Sequence, residues 1–244
     1  MPALSTVPIR AYTAGIADTP EQIRAAQRLR TTVFRDELGA ELPGELDADP
    51  FDEVCDHLIV THEPTGEVVG TYRLLPPGRS RRLYSSTEFD LANLDPLRHT
   101  LLETGRSCVH PGHRGGAVIT LMWSALARYA LLSGHRYLGG CASVPLADGG
   151  LAAASTWHVA STKHASPAEY RVLPHRPWIP SRSRGLRPRY ADLPPLVRGY
   201  LRLGAWVCGP PAHDEDFAVA DFFLLLPMAQ LDERYLRYLL GAGR

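Results

Sequence analysis

Lysine is almost absent from this chain. Of its 26 lysine and arginine residues only Lys163 is a lysine, so the basic chemistry is almost entirely that of guanidinium groups. A guanidinium stays charged at any physiological pH, and its fork of N–H donors matches carboxylate and phosphate groups. We therefore expect the cationic sites of this protein to carry fixed charges and to make forked contacts.

Cysteine is also scarce and has no metal-binding pattern. The four cysteines, Cys55, Cys108, Cys141 and Cys208, show neither a CxxC motif nor a Cys/His metal spacing, so we expect no metal site. Cys108 and Cys141 fall in predicted buried strands, where a thiol behaves as a small apolar group. This usage indicates a reducing compartment, and we expect a cytoplasmic protein.

The chain has no long apolar run. The most apolar stretch, from Phe222 to Leu226, is closed by Pro227 and is far too short to span a bilayer. The N-terminus lacks a positively charged start followed by an apolar segment, so no signal peptide is expected. Contact with an anionic membrane would then be peripheral, at the inner face of the cytoplasmic membrane.

The charges cancel overall but are segregated along the chain. A net charge of zero argues against a general nucleic-acid binder. Every charged residue from 36 to 56 is acidic. From 171 to 202 every charged residue is an arginine except Asp192. An acidic pocket suits a diamino acid, and a basic surface suits an acidic carrier protein or anionic lipid. The alternative is two solvated loops.

The apolar pattern predicts alternating strands and helices in one domain over residues 1–244, of class α/β or α+β. A capping box at residues 19–22 predicts a helix to about Leu38, and apolar runs around residues 63–66 predict a hairpin. The other predictions are strands at 9–13, 101–109, 137–142 and 218–226, helices at 118–133, 151–163 and 232–240, an element at 196–207, and an irregular stretch at 76–99.

The most informative segment runs from Glu103 to Ser143. It predicts a strand ending in Val109, a turn at Arg114-Gly115-Gly116, an apolar helix, and a second strand. A glycine-rich turn that opens a helix presents backbone N–H groups and the positive end of the helix dipole to an anion. This arrangement suits a diphosphate or a phosphopantetheine phosphate, although ordinary loops between a strand and a helix look similar.

Several stretches resemble known acyltransferases. Residues 109–116 (VHPGHRGG) resemble the donor-binding segment of the GNAT N-acyltransferase superfamily. Residues 103–111 (ETGRSCVHP), 140–143 (GCAS) and 193–206 (LPPLVRGYLRLGAW) more closely resemble the ornithine N-acyltransferases of ornithine-lipid synthesis. The resemblance implies a GNAT-like fold, with a central mixed, mostly antiparallel sheet flanked by helices. It also implies a long-chain acyl donor on the phosphopantetheine of acyl carrier protein, with no other cofactor.

A second resemblance concerns the acceptor side. Residues 30–34 (RTTVF), 70–74 (GTYRL) and the Glu103/Arg106 spacing resemble acyl-homoserine-lactone synthases, which share the fold and the donor. Both resemblances imply attack of an α-amine on a long-chain thioester. The residues that we expect to bind the acceptor are Arg30, Phe34, Asp52, Asp56 and Arg73. The residues that we expect to bind the donor are Ser107, Cys108, Val109, Arg114, Gly115, Gly116 and Ala117.

The chemistry requires a base and an oxyanion site. An amine is mostly protonated at neutral pH, so a group must take its proton directly or through water. Glu103 is our candidate base, with Arg106 beside it to hold Glu103 or the acceptor carboxylate. A strand-end carboxylate with a structural role is the alternative, as is proton transfer by a histidine: His57, His110, His113 or His158. Backbone N–H groups near Ser107–Val109 are the candidate oxyanion donors.

These observations predict an N-acyltransferase that places a 3-hydroxy fatty acyl chain on the α-amine of ornithine or a similar amino acid. GNAT donor turns usually carry small residues at the two positions where this chain has Ala117 and Ile119. The side chains of Ala117 and Ile119 should crowd the diphosphate of CoA, which favours a carrier-protein donor. The alternatives are an acyl-homoserine-lactone synthase and a non-catalytic module that binds acyl carrier protein or lipid.

Overall fold

A computed structural model describes residues 11–42, 44–180, 190–231 and 241 of the chain. The helices are α1 (Pro20–Thr31), α2 (Ala117–Leu132), α3 (Leu151–Lys163) and α4 (Pro195–Arg202). The strands are β1 (Tyr12–Ile16), β2 (Asp56–His62), β3 (Glu67–Leu75), β4 (Phe89–Asp90), β5 (Leu101–Val109), β6 (Tyr137–Pro145), β7 (Leu173–Pro174), β8 (Trp206–Val207), β9 (Ala212–Asp214) and β10 (Val219–Pro227).

The chain divides into two compact units. Within the described residues, the first unit comprises 11–80, 104–136 and 241, and the second comprises 81–103 and 137–231. Strand β5 therefore contributes its first three residues to the second unit and the remainder to the first. The prediction of a single domain over residues 1–244 stays a prediction.

In the first unit β1, β2 and β3 form antiparallel pairs, and α1 and α2 pack against them. Tyr12 lies opposite His62 in the first pair, and His62 lies opposite Glu67 in the second. The β2–β3 hairpin closes with a hydrogen bond of 2.8 Å from the Gly66 N–H to the His62 carbonyl. The hairpin prediction is confirmed.

Helix α1 begins as the sequence predicts and ends in a different geometry. Thr19 and Gln22 form the capping box, with Pro20 in the first turn. The chain continues as a π-helix from Thr32 to Glu37, in which the Leu38 N–H bonds the Val33 carbonyl at 3.1 Å. The helical extent to about Leu38 is confirmed, but its last part is π-helical rather than α-helical.

The second unit has a mixed sheet. The start of β5 runs parallel to β6, and Glu103 lies opposite Gly139 at the end of that pairing. Strand β6 pairs antiparallel with β10 over nine residues, and β8 and β9 pair antiparallel with β10. All nine residues of β10 are buried, and the strand has hydrogen-bonded neighbours on both edges. Strands β4 and β7 form a separate short antiparallel pair.

The sequence located the long elements and missed the short ones. Strand β5 and helix α3 have the predicted bounds. The first strand, Tyr12–Ile16, continues past the predicted end at residue 13, and residues 9 and 10 of that prediction lie outside the described residues. The predicted element at 196–207 is two elements, α4 and β8. The predicted helix at 232–240 lies outside the described residues. No described helix is long and apolar enough to cross a membrane.

We expect Gly70→Ala to lower the free energy of unfolding by about 1–3 kcal/mol, because a β-carbon there overpacks the interface between β3 and α2. An added β-carbon would lie 2.7 Å from Val118 Cγ1 and 2.8 Å from Met122 Sδ. Gly15→Ala on β1 is the matched control, since nothing lies within 4 Å of the added atom. Urea unfolding of both variants checks the prediction, and equal losses would contradict it.

Candidate active site

The centre of the first unit is a buried guanidinium, that of Arg30. This side chain is fully buried on α1 and donates from Nε to Asp47 Oδ2 at 2.8 Å. Its two terminal nitrogens donate to the two carboxylate oxygens of Asp52 at 2.7 and 2.9 Å, and Nη2 also donates to the Asp47 carbonyl. Asp47 and Asp52 of the acidic stretch are therefore folded onto α1, whereas Asp36, Glu41, Glu45 and Glu53 are exposed.

Two further arginines join the same aspartates. Arg73 on β3 is 4% exposed, and its Nη1 lies 2.7 Å from Asp49 Oδ2 and 3.6 Å from Asp52 Oδ1. Arg106 on β5 has its Nε 3.3 Å from Asp47 Oδ2 and its Nη2 3.6 Å from Asp49 Oδ2. We call these six side chains the arginine–aspartate network: Arg30, Arg73, Arg106, Asp47, Asp49 and Asp52.

Arg106 has a left-handed backbone conformation, with φ of 49° in the middle of a strand. For a residue with a β-carbon this conformation costs roughly 1–2 kcal/mol. The strain persists because surrounding contacts hold the residue, and Asp47 and Asp49 supply such contacts. Strained backbone of this kind is frequent at functional sites.

The network shifts the protonation equilibria of its members. Burial tends to raise the pKa of Asp52, but the hydrogen bonds and charge of Arg30 outweigh it, so the pKa falls to about 2. Burial lowers the pKa of His57, whose Nε2 lies 3.1 Å from the Asp52 carbonyl oxygen. His57 is thus neutral near pH 7.

The structure gives Asp56 different partners from those of Asp52. Asp56 accepts hydrogen bonds from Arg79 Nη1 at 2.7 Å and from the Tyr129 hydroxyl at 2.5 Å. Burial and this carboxylate together raise the pKa of Tyr129. Phe34, another predicted acceptor residue, is partly buried against the cluster of Leu29, Val33 and Cys108.

The candidate base lies in the second unit. Glu103 is 4% exposed, its Oε2 accepts the Tyr84 N–H at 2.6 Å, and its Oε1 accepts the Ser85 N–H at 2.8 Å. Both donors begin a 3-10 turn, Tyr84–Thr87, so the carboxylate holds this turn in place. The role of base stays a prediction.

The donor turn has the predicted shape. Strand β5 ends at Val109, Gly116 takes a φ of 93°, and α2 begins at Ala117. Nothing lies within 4 Å of a β-carbon added to Gly115 or Gly116, so an open space adjoins this turn. The first turn of a helix offers N–H groups that have no acceptor within the helix. Ser107 and Cys108 precede the turn on β5, and burial raises the pKa of the Cys108 thiol to about 12.

Arg114 in this turn is already paired. Its Nη1 and Nη2 donate to the two carboxylate oxygens of Glu37 at 2.5 and 2.7 Å, and its Nε donates to the Val109 carbonyl at 3.1 Å. Sequence reasoning missed Glu37, Asp47 and Asp49 as site residues. The acidic stretch was the available signal, but the identity of each partner depends on tertiary contacts.

The basic stretch is described only in part. Residues 181–189, which hold four of its arginines, lie outside the described residues. Of the others, Arg176 lies 3.7 Å from Glu215, and Arg202 stacks over the Tyr190 ring at 5.7 Å. Arg198 donates to the Ala191 carbonyl at 2.9 Å. No cluster of metal-binding side chains occurs among the residues that the structure describes.

Known proteins with similar sequences decide the family. A family model described as an acetyltransferase (GNAT) domain matches residues 29–124. The L-ornithine N(alpha)-acyltransferase of Brucella abortus (strain 2308) is 35% identical over 246 aligned residues, which cover 91% of this chain and 86% of that protein. The chain belongs to the L-ornithine N(alpha)-acyltransferase family. The protein of that name from Rhodobacter capsulatus is 34% identical to this acyltransferase, with coverage of 93% and 94%.

Solved structures confirm the fold of the acyltransferase. The acyl-homoserine-lactone synthase LasI has a TM-score of 0.52 at 14% identity, covering 94% of this chain and 95% of that one. The N-acyl amino acid synthase FeeM from uncultured soil microbes has a TM-score of 0.52 at 13% identity, with coverage of 93% and 98%. The predicted GNAT-like fold, with its mostly antiparallel sheet and flanking helices, is therefore confirmed.

We expect Asp52→Asn to lower the free energy of unfolding at pH 7 by about 3 kcal/mol, because it removes a charge partner from buried Arg30. The pKa of Asp52 is lower in the folded chain than its ordinary value of 3.8. Its stabilisation is therefore complete above about pH 4 and is lost as the pH falls through about 2. The difference between wild type and variant should shrink over that interval.

Chemical unfolding at several pH values measures this difference. Asp36→Asn is the control, since the Arg35–Asp36 pair is exposed and such pairs contribute about 0–1 kcal/mol. A loss for Asp52→Asn that is as small as the control's, or that does not vary with pH, would contradict the role assigned to the network.

We expect Glu103→Gln to lower kcat by about 10²- to 10⁴-fold if Glu103 takes the amine proton. Donor binding should change little, because the loss belongs to the chemical step. The melting temperature separates this effect from the loss of the Tyr84 and Ser85 contacts. A variant that keeps most of its kcat at all pH values from about 6 to 9 would assign the proton transfer to a histidine or to water.

Proposed function

We propose that this acyltransferase moves a long-chain, 3-hydroxylated fatty acyl group from acyl carrier protein to the α-amine of ornithine. The observation that carries the proposal is the 35% identity, over 91% of the chain, to an L-ornithine N(alpha)-acyltransferase. The product is a lyso-aminolipid, and a second acylation elsewhere completes the lipid. We place the reaction in the cytoplasm, with peripheral contact at the inner face of an anionic membrane.

The proposed mechanism is direct transfer. Glu103 accepts a proton from the α-ammonium, and the free amine attacks the thioester carbonyl to form a tetrahedral oxyanion. Backbone N–H groups of Ser107–Val109 stabilise that oxyanion, as positioned donors do in acyl transfer. Collapse breaks the carbon–sulfur bond, the nitrogen gives up a second proton to the leaving sulfur, and the amide and the phosphopantetheine thiol are released. Two N–H bonds to Glu103 keep its carboxylate fixed, which supports this role.

The arginine–aspartate network supplies the acceptor site in this proposal. Arg73 or Arg106 binds the ornithine carboxylate, and an aspartate binds the distal ammonium. Asp49 fits the second role best, because its side chain is 22% exposed, compared with 6% for Asp52 and 7% for Asp56. All three carboxylates have an arginine partner at 2.7 Å, so the greater exposure of Asp49 is what favours it.

A carrier-protein donor is supported by the start of α2. Ala117 and Ile119, both partly buried, stand where GNAT donor turns usually have small residues. Their side chains restrict the space for a diphosphate more than the space for one phosphodiester. We expect acyl carrier protein thioesters to exceed the matching acyl-CoA by at least about tenfold in kcat/KM, or about 1.4 kcal/mol.

A second candidate is an acyl-homoserine-lactone synthase activity. One observation favours it: such a synthase from Rhizobium etli is 34% identical over 128 residues, which cover 49% of this chain and 60% of that protein. That activity would take S-adenosylmethionine as the acceptor and release methylthioadenosine. Ornithine-dependent turnover without methylthioadenosine separates the two candidates.

Acceptor competition tests the proposed function. With a 3-hydroxyacyl carrier protein as donor, we expect ornithine and lysine to react well ahead of norvaline, which lacks the distal ammonium. When norvaline binds, the Asp49 carboxylate lacks the ammonium that ornithine supplies, and a site that pairs a polar group of its substrate discriminates strongly against an analogue without that group. Asp49→Asn should reduce the preference for ornithine over norvaline. Mass spectrometry of the products measures each rate, and norvaline or glycine as good a substrate as ornithine would overturn the ornithine assignment.

A further inference from the structure

The Arg114–Glu37 pair lies at the point where the donor's phosphate is expected. Arg114 belongs to the donor turn, and Glu37 is the last residue of the π-helix that follows α1. The pair is bidentate, with N–O distances of 2.5 and 2.7 Å, and the Arg114 Nε is bonded to the Val109 carbonyl. Donors from all three guanidinium nitrogens are thus engaged within the protein.

The pairing with Glu37 reduces the number of Arg114 N–H donors that are available to an anion at this turn. The fork of an arginine matches a phosphate as well as a carboxylate, so Glu37 and a donor phosphate compete for the same N–H groups. The hydrogen bond from Arg114 lowers the pKa of Glu37, which keeps this carboxylate ionised at neutral pH. A phosphate that displaced Glu37 would leave an unpaired carboxylate beside itself.

The consequence depends on the charge of the donor. A carrier-bound phosphopantetheine has a single phosphodiester, which the backbone N–H groups of the turn can satisfy. CoA has a diphosphate and a phosphate monoester, so it gains more from a free guanidinium and is repelled more by a nearby carboxylate. The pair therefore weakens the binding of CoA, the more highly charged donor, more than the binding of carrier-bound phosphopantetheine.

We propose that Glu37 is a donor-specificity residue that keeps the Arg114 guanidinium from binding phosphate and so disfavours CoA relative to carrier-bound phosphopantetheine. This inference rests on the proposed function for the use of that donor turn. It assigns Glu37 to specificity rather than to the chemical step, and it acts through Arg114.

Direct binding of two probes tests the inference without any acceptor. Calorimetry measures the Kd of CoA and of a holo acyl carrier protein for the wild type and for Glu37→Gln. We expect the variant to bind CoA about fivefold or more tightly, and to bind the holo carrier within about twofold of the wild type. Asp36→Asn, which removes a carboxylate from the same π-helix, should leave the ratio of the two Kd values unchanged.

A double variant tests whether Glu37 acts through Arg114. If Glu37 acts by occupying Arg114, then Glu37→Gln with Arg114→Gln should lose the gain in CoA affinity. The inference would be overturned if the Kd values of both probes changed equally, if the Kd of CoA did not change, or if the double variant kept the gain in CoA affinity. Acyl-ornithine formation with the wild type is a separate readout, so failure of the proposed function is distinguishable from failure of the Glu37 assignment.

Discussion

The first unit depends on a single buried charge, the guanidinium of Arg30. A full positive charge in an interior requires partners for all of its N–H groups, and Asp47 and Asp52 provide them. This requirement folds the acidic stretch onto α1 and fixes the start of β2. Arg73 and Arg106 then share the same carboxylates. The site's electrostatics therefore follow from one buried residue of an amphipathic helix.

The arginine–aspartate network, which we propose as the acceptor site, combines charges of both signs. Alternating guanidinium and carboxylate groups have nearly cancelling charges, so they do not create a strong field of one sign. The carboxylate of an amino acid can replace an aspartate as the partner of an arginine in such a network, and its ammonium can replace an arginine as the partner of an aspartate. The rigid planar fork of arginine makes each position geometrically specific, whereas lysine would supply only a flexible point charge.

Local patterns made the long elements predictable, and tertiary contacts decided the remainder. The bounds of β5 and α3 follow from apolar runs closed by turn residues, and the turn at Gly115-Gly116 follows from glycine chemistry. Strands such as β4, with two residues, contain too little periodicity to detect. The pairing of Arg114 with Glu37 joins residues 77 positions apart, and nothing in either local sequence specifies it. The π-helical turn that carries Glu37 has no sequence signal of its own.

The left-handed backbone of Arg106 has a consequence for engineering. Glycine adopts this conformation without the steric cost of a β-carbon, so Arg106→Gly relieves strain in β5 while deleting a member of the network. The relief of strain and the loss of the contacts with Asp47 and Asp49 have opposite effects on stability, so activity must be measured alongside stability for any substitution at this position.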